Sequence, residues 1–179
     1  MDKEGHNPKV MVVSKNLTFL KKTLVGLFIQ DLKATQTQYI HDKANNIFYI
    51  GNVEVILIAG ENPESVYGYD VCAIFVDELD ELDTQKSMEL VKSVNDRARQ
   101  NVQGFRPPFL CFATTSQGLK GTYQTVMHFQ KSGIAYIIIR ARTRDNTSLE
   151  KDYVSNMYKI YNEKETQCNY TFSKFSRDY

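Results

Sequence analysis

The chain has 179 residues, room for one domain with a proper core or for a domain and a tail. With 42% hydrophobic and 24% charged residues its composition is globular, which excludes wholesale disorder, and no apolar run approaches the roughly 20 residues of a membrane span. The 22 basic and 21 acidic side chains leave a formal net charge of +1, which excludes a strong field over the whole surface but not a local basic patch.

The polar start, residues 1–8, is expected to be a flexible arm. "KVMVVS" (9–14) then reads as a buried strand, and Leu17, Leu20, Leu24, Phe28 and Leu32 recur at helical spacing over 16–32. "TQYIHD", "NIFYIG" and "VEVILIAG" read as three short strands, with a tight hairpin at Gly51-Asn52 between the last two. "DVCAIFVDE" (70–78) is the next buried strand. A helix follows from Asp83 or Thr84, either a good N-cap, to about Gln100, with Met88, Val91, Val94 and Ala98 as its apolar stripe.

After the break at Pro107-Pro108, "FLCFATT" (109–115) is a strand ending in hydroxyls. A helix over about 121–131 leads to the strand "IAYIIIRA" (134–141). "TSLE" (147–150) is a capping box for a helix carrying Leu149, Tyr153, Met157 and Ile160. The last dozen residues read as a strand or an ordered tail. Apolar strands alternating with helices predict an α/β fold, a mostly parallel central sheet flanked by helices.

Cys72, Cys111 and Cys168 are widely spaced with no CxxC pair, and read as reduced cysteines rather than a zinc or redox centre. His6, His41 and His128 are too scattered for a metal site. Chemistry is better sought at the carboxyl ends of the strands, where open α/β sheets gather ligands. Asp77 and Glu78 end one apolar strand. Beside a triphosphate, such a pair can hold magnesium through water (Asp77) and polarise an attacking water (Glu78). A solvated loop start produces the same pattern. "ATTSQG" (113–118) ends another strand in hydroxyls followed by glycine, which suits a phosphate-sensing loop or, equally, an ordinary strand-to-helix turn. A phosphate cradle, G-x-x-x-x-G-K-[ST], is absent from these residues: none of the nine glycines is followed by lysine.

In this order the segments resemble the ATPase domain of the large terminase subunit of tailed bacteriophages. "VMVVSKN" with its helix resembles the second strand and helix of that domain, and "NVEVILIAGENPESVYGYDVCAIFVDELDEL" the approach to its Walker B strand. "FATTSQG" resembles the coupling motif, and "IIIRARTRDNTSLEKDYVSNMYKIYNE" with "CNYTFSKF" the closing part of the domain. The resemblance implies an incomplete P-loop NTPase fold, with a terminase-like ATPase core over 9–165 and a strand or tail over 166–179 leading toward a nuclease domain. It implies that Asp77 is the Walker B aspartate and magnesium ligand, and Glu78 the catalytic glutamate. Thr114, Thr115, Ser116 and Gly118 fall on the coupling loop, and Thr143, Asp145 and Asn146 on the later polar motif.

Further expectations follow from the same likeness. The function is part of a viral DNA-packaging motor, using ATP and Mg2+ only when a separate terminase fragment supplies the P-loop; the chain alone is expected to be inactive. Partners would be double-stranded phage DNA, the portal, the small terminase subunit and other copies in a ring, in the host cytoplasm and away from membranes. No arginine finger is assigned, Arg97 and Arg99 being guesses. Ser14, Ser116 and Thr147 depart from the family's usual residues. The alternative is a catalytically inactive terminase-like module that binds DNA or portal; a helicase fragment is a third reading.

Overall fold

A computed structural model of the chain describes residues 7–102, 108–115, 118–140 and 169–174. Strand β1 (Lys9–Ser14) opens the fold, and two residues beyond it the side-chain carbonyl of Asn16 accepts the Phe19 N–H at 2.8 Å and so caps the next helix. That helix comprises α1 (Leu17–Phe19), one π-helical segment over Leu20–Leu24, and α2 (Val25–Ala34). Its expected stripe turns inward at Leu20 and Leu32, whereas Leu17 at the cap is exposed. Strands β2 (Ile40–Asp42), β3 (Ile47–Ile50) and β4 (Val53–Ala59) form an antiparallel meander. The expected hairpin is there: Gly51 turns the chain at φ 57°, where a side chain would be strained.

Then come β5 (Ala73–Asp77), α3 (Thr84–Arg97), β6 (Phe109–Thr114), α4 (Gly121–Lys131), β7 (Ile137–Arg140) and β8 (Asn169–Lys174). They complete an eight-stranded sheet of order β2-β3-β4-β1-β5-β6-β8-β7. Its inner strands β4, β1, β5 and β6 run parallel, with antiparallel strands at both margins. The predicted class, a parallel sheet core flanked by helices, is what the chain adopts. The predicted helix over 147–160 and most of the closing segment lie outside the described residues.

Alternation along the strands feeds two layers. Met11 and Val13 of β1, Ile56 and Ile58 of β4, Ile74 and Val76 of β5 and Leu110 and Phe112 of β6 meet Leu90, Val91 and Val94 of α3 and Phe129 of α4. Val55 and Leu57 of β4, with Val10 and Val12, face α2 instead. Strands buried on both faces read as unbroken apolar runs, as "VMVV" and "VILIA" do. The apolar stripe of α3 differs from the expected one: Ser87, Leu90, Val91, Ser93 and Val94 are buried, while Met88 lies half-exposed. The two serines face inward because each finds a hydrogen-bond partner, Ser93 on the Tyr67 hydroxyl and Ser87 on backbone carbonyls.

Cys72 and Cys111 are buried free thiols, and burial pushes the Cys111 thiol up to about 11, so neither is poised to react. Among the described residues no helix is long and apolar enough to cross a membrane.

Candidate functional site

From β1 the chain leaves toward the β2–β4 side of the sheet; from β5 it leaves toward β6 on the other. Adjacent parallel strands whose connections diverge open a crevice at their carboxyl ends, the usual ligand position in such sheets. At this switch point stand Ser14 and Lys15 from the end of β1 and Asp77 and Glu78 from the end of β5.

Asp77 is the last residue of β5 and lies in register with Ala113 of β6. Burial pushes its carboxyl above the usual range; the Glu78 backbone N–H and the Lys15 ammonium oppose that shift. Glu78 leaves the strand in the left-handed region, φ 54° and ψ 47°, and its own N–H donates to the Ala113 carbonyl at 2.7 Å. A glutamate at positive φ is uncommon and is held there only by its surroundings. Burial raises its carboxyl first, then the neighbouring Asp77 charge, while the nearby Thr115 backbone N–H pulls it back down. So the residue at the tip of β5 is tied to β6 through its own N–H and feels the amide of the residue that follows β6.

Thr114, the last residue of β6, is buried, and its hydroxyl accepts the Asp80 N–H at 3.1 Å. Gly118 follows at φ 80°. Of the predicted site, then, Asp77, Glu78, Thr114 and Thr115 come together at the tips of two adjacent strands. Ser116, Thr143, Asp145 and Asn146 lie outside the described residues. Arg97 and Arg99 sit elsewhere: both pair with Asp70, at 3.6 and 2.7 Å, where the chain enters β5. They lie at the far end of α3 from its Asp83 cap, about 20 Å along the helix axis. Neither reaches this site within the chain.

Two residues carry no clear mark in the sequence. Lys15 reaches from the end of β1 to pair with Glu81 at 3.5 Å, lies over the Phe19 ring, and lowers both Asp77 and Glu78. It also lines an open polar cleft of about 270 Å³ with Asn16, Glu61, Glu81 and Asp83. The available signal is a basic residue directly after the first apolar strand. Asp80, fully buried, accepts the Thr122 N–H at the start of α4 at 2.6 Å. In the sequence it is one more acid in a run of five, and spacing does not tell a buried carboxylate from a solvated one.

A cation at Asp77 would find few protein ligands. Among the described residues no group of three or more His, Cys, Asp or Glu could enclose a metal ion. The Asp77 carboxyl meets there the Glu78 N–H and the field of Lys15. One half-buried carboxylate at a crevice suits magnesium, which keeps most of its water and takes other oxygens from phosphate.

No protein-family model matches the chain, and no curated protein does. Among solved structures it is similar to the large terminase of a thermophilic bacteriophage, with TM-score 0.65 and 14% identity over 90% of this chain and 39% of that one. The same phage protein in complex with ADP gives TM-score 0.62 at 13% identity, again over 90% of this chain and 39% of that one. Its complex with ATP-gamma-S gives 0.59 at 15%, over 87% and 37%. The chain therefore spans less than two-fifths of the length of those proteins. At such identity the likeness is one of fold alone: the chain folds like part of a large terminase.

Proposed function

We propose that residues 9–165 are the part of a phage DNA-packaging ATPase that carries the water-activating acid and the loop that couples hydrolysis to movement. The supporting observation is the strained Glu78, whose N–H donates to the Ala113 carbonyl of the neighbouring strand at 2.7 Å, set at the switch point beside Asp77 and Lys15. A plain solvated strand end would leave both acids free in water. Here burial raises both, one is held in a strained backbone conformation, and its anchor is the neighbouring strand's hydroxyl-bearing tip.

In this reading Glu78 orients and polarises the attacking water, and its elevated carboxyl is a better proton acceptor than a free glutamate. Asp77 holds hydrated Mg2+, which when bound neutralises charge on the ATP phosphates. Thr114, Thr115, Ser116 and Gly118 form the coupling loop, so that the Glu78 anchor shifts when the loop does; Thr143, Asp145 and Asn146 supply the later polar motif. Residues 1–179 contain no phosphate cradle, so tight ATP binding draws on backbone N–H groups from outside them, whether on the same polypeptide or a separate terminase fragment. The DNA, portal, small-subunit and ring contacts of a packaging motor belong to this proposal as its partners.

The test is ATP turnover by the assembly that carries the cradle. Glu78→Gln is expected to lower kcat by roughly 10²–10⁴-fold while nucleotide binding persists. Turnover at the wild-type rate would overturn the hydrolytic role, and is what a catalytically inactive module that binds DNA or portal predicts.

A further inference from the structure

Beyond the acid pair, the described residues hold one fully buried carboxylate, Asp80, and it has no part in the chemistry proposed above. It lies in the single 3-10 turn Leu79–Glu81, two residues beyond Glu78. Both ends of that residue are tied. Its backbone N–H donates to the Thr114 hydroxyl at the tip of β6, and its carboxylate accepts the Thr122 N–H at the first turn of α4. The Leu79 carbonyl beside it accepts from Ser87 of α3 at 3.1 Å.

The packing leaves little slack. Gly121, the first residue of α4, lies so near that an added Cβ would stand 2.6 Å from the Ser87 Cβ and Oγ and 3.4 Å from an Asp80 carboxylate oxygen. Thr125 closes the same turn by donating to the Gly121 carbonyl at 2.7 Å. A carboxylate at a helix N-terminus gains from the exposed N–H groups and the helix dipole, and more so when water is excluded. Asp80 thus grips α4 while only Leu79 separates it along the main chain from the strained Glu78.

We propose that Asp80 is a positioning residue, a link by which the placement of α4 sets the placement of Glu78. Closed packing transmits a helix displacement rather than absorbing it. Motion of α4, or of the loop leading into it, shifts Asp80 through the Thr122 bond and turns the nearby Glu78 against its bond to the Ala113 carbonyl. Glu78 is then held from two directions: from the tip of β6 through Ala113, and from α4 through Asp80. The link rests on the reading of Glu78 as the water-orienting acid, but its mechanical part can be measured without turnover.

Amide hydrogen exchange on the chain tests it. Asp80→Ala removes the acceptor of the Thr122 N–H and so cuts the link; Asp80→Asn keeps an amide oxygen but loses the charge, weakens the link, and serves if the first fails to fold. The expected result is exchange faster by about tenfold or more at Glu78, whose N–H donates to the Ala113 carbonyl, with the far end of α3 unchanged. Exchange at Glu78 that stays at the wild-type rate in a folded variant overturns the link. In the turnover assay Asp80→Asn should lower kcat with KM unchanged, and add little in a Glu78→Gln background. An equal loss in both backgrounds overturns the route through Glu78. If Glu78→Gln itself has no effect, the hydrolytic reading fails, while the exchange result still decides the link.

Discussion

Glu78 carries two costs at once. Its backbone occupies the left-handed region, worth about 1–3 kcal/mol for a residue with a side chain, and its carboxyl sits where burial and the Asp77 charge disfavour ionisation. Asp77 shares the second cost, again chiefly through burial. The consequence for stability has a definite sign. A carboxyl raised in the folded state binds its proton more tightly there than in the unfolded chain, so its contribution is fully present below the ordinary values of 3.8 for Asp77 and 4.5 for Glu78. It is lost as pH rises through the elevated folded values. Asp77→Asn should therefore melt above wild type at neutral pH, and the difference should shrink toward zero as pH falls to 3.8. A constant difference across that range would show that the carboxyl is not disfavoured in the fold.

At the scale of elements, the contact between α3 and α4 places the site. The two helices come together where Gly121 meets Ser87, small residues that permit close approach, and the turn carrying Asp80 is clamped between them. Gly121→Ala tests this. Alanine is the better helix former by up to about 1 kcal/mol, yet its Cβ would meet Ser87 at 2.6 Å, and overpacking of that kind costs about 1–3 kcal/mol. The net effect on the denaturation midpoint is expected to be a loss, partly recovered by Ser87→Gly in the same chain. A neutral or stabilising Gly121→Ala would mean that the helices separate freely, which the clamp forbids. The start of α3 is readable from residues alone: Asp83 accepts the Lys86 N–H at 2.9 Å, as an N-cap should. Its buried face is not, because Ser87 and Ser93 count as polar in any periodicity and go inside only through particular partners.

Among the described residues the two largest parts of the core, unequal in size, lie on either side of the sheet. The layer under α3 and α4 gathers side chains from β1, β4, β5 and β6, whereas the layer under α2 rests on β1, β3 and β4. Leu90, fully buried in the first, and Leu32, 8% exposed at the rim of the second, sample the difference. Leu90→Ala should cost toward the upper end of the roughly 2–5 kcal/mol range for such truncations, and Leu32→Ala about 2 kcal/mol or less, read as shifts in urea midpoint. Comparable losses would imply that α2 is as firmly seated as α3. The larger layer supports β5 and β6 together, so the tips bearing Asp77 and Thr114 hold their relative positions, as the proposed role of Glu78 in orienting a water requires.

By itself the sequence determined the elements and their class. Strand runs such as "VMVV" and "AIFV", the Asp83 cap and the Gly51 turn are local effects of hydrophobicity, hydrogen bonding and backbone freedom, and local effects can be read along a line. It also singled out Asp77, Glu78, Thr114 and Thr115 as candidates for chemistry. Tertiary structure decided which of them meet. Strand order set β1 beside β5 and made a switch point of their ends, bringing in Lys15 from more than sixty residues earlier in the chain. Packing of α3 on α4 chose Asp80, out of five nearby acids, as the one to bury. Residues far apart in the chain become neighbours only through the pairing of strands and the seating of helices, and burial belongs to those neighbours rather than to the residue.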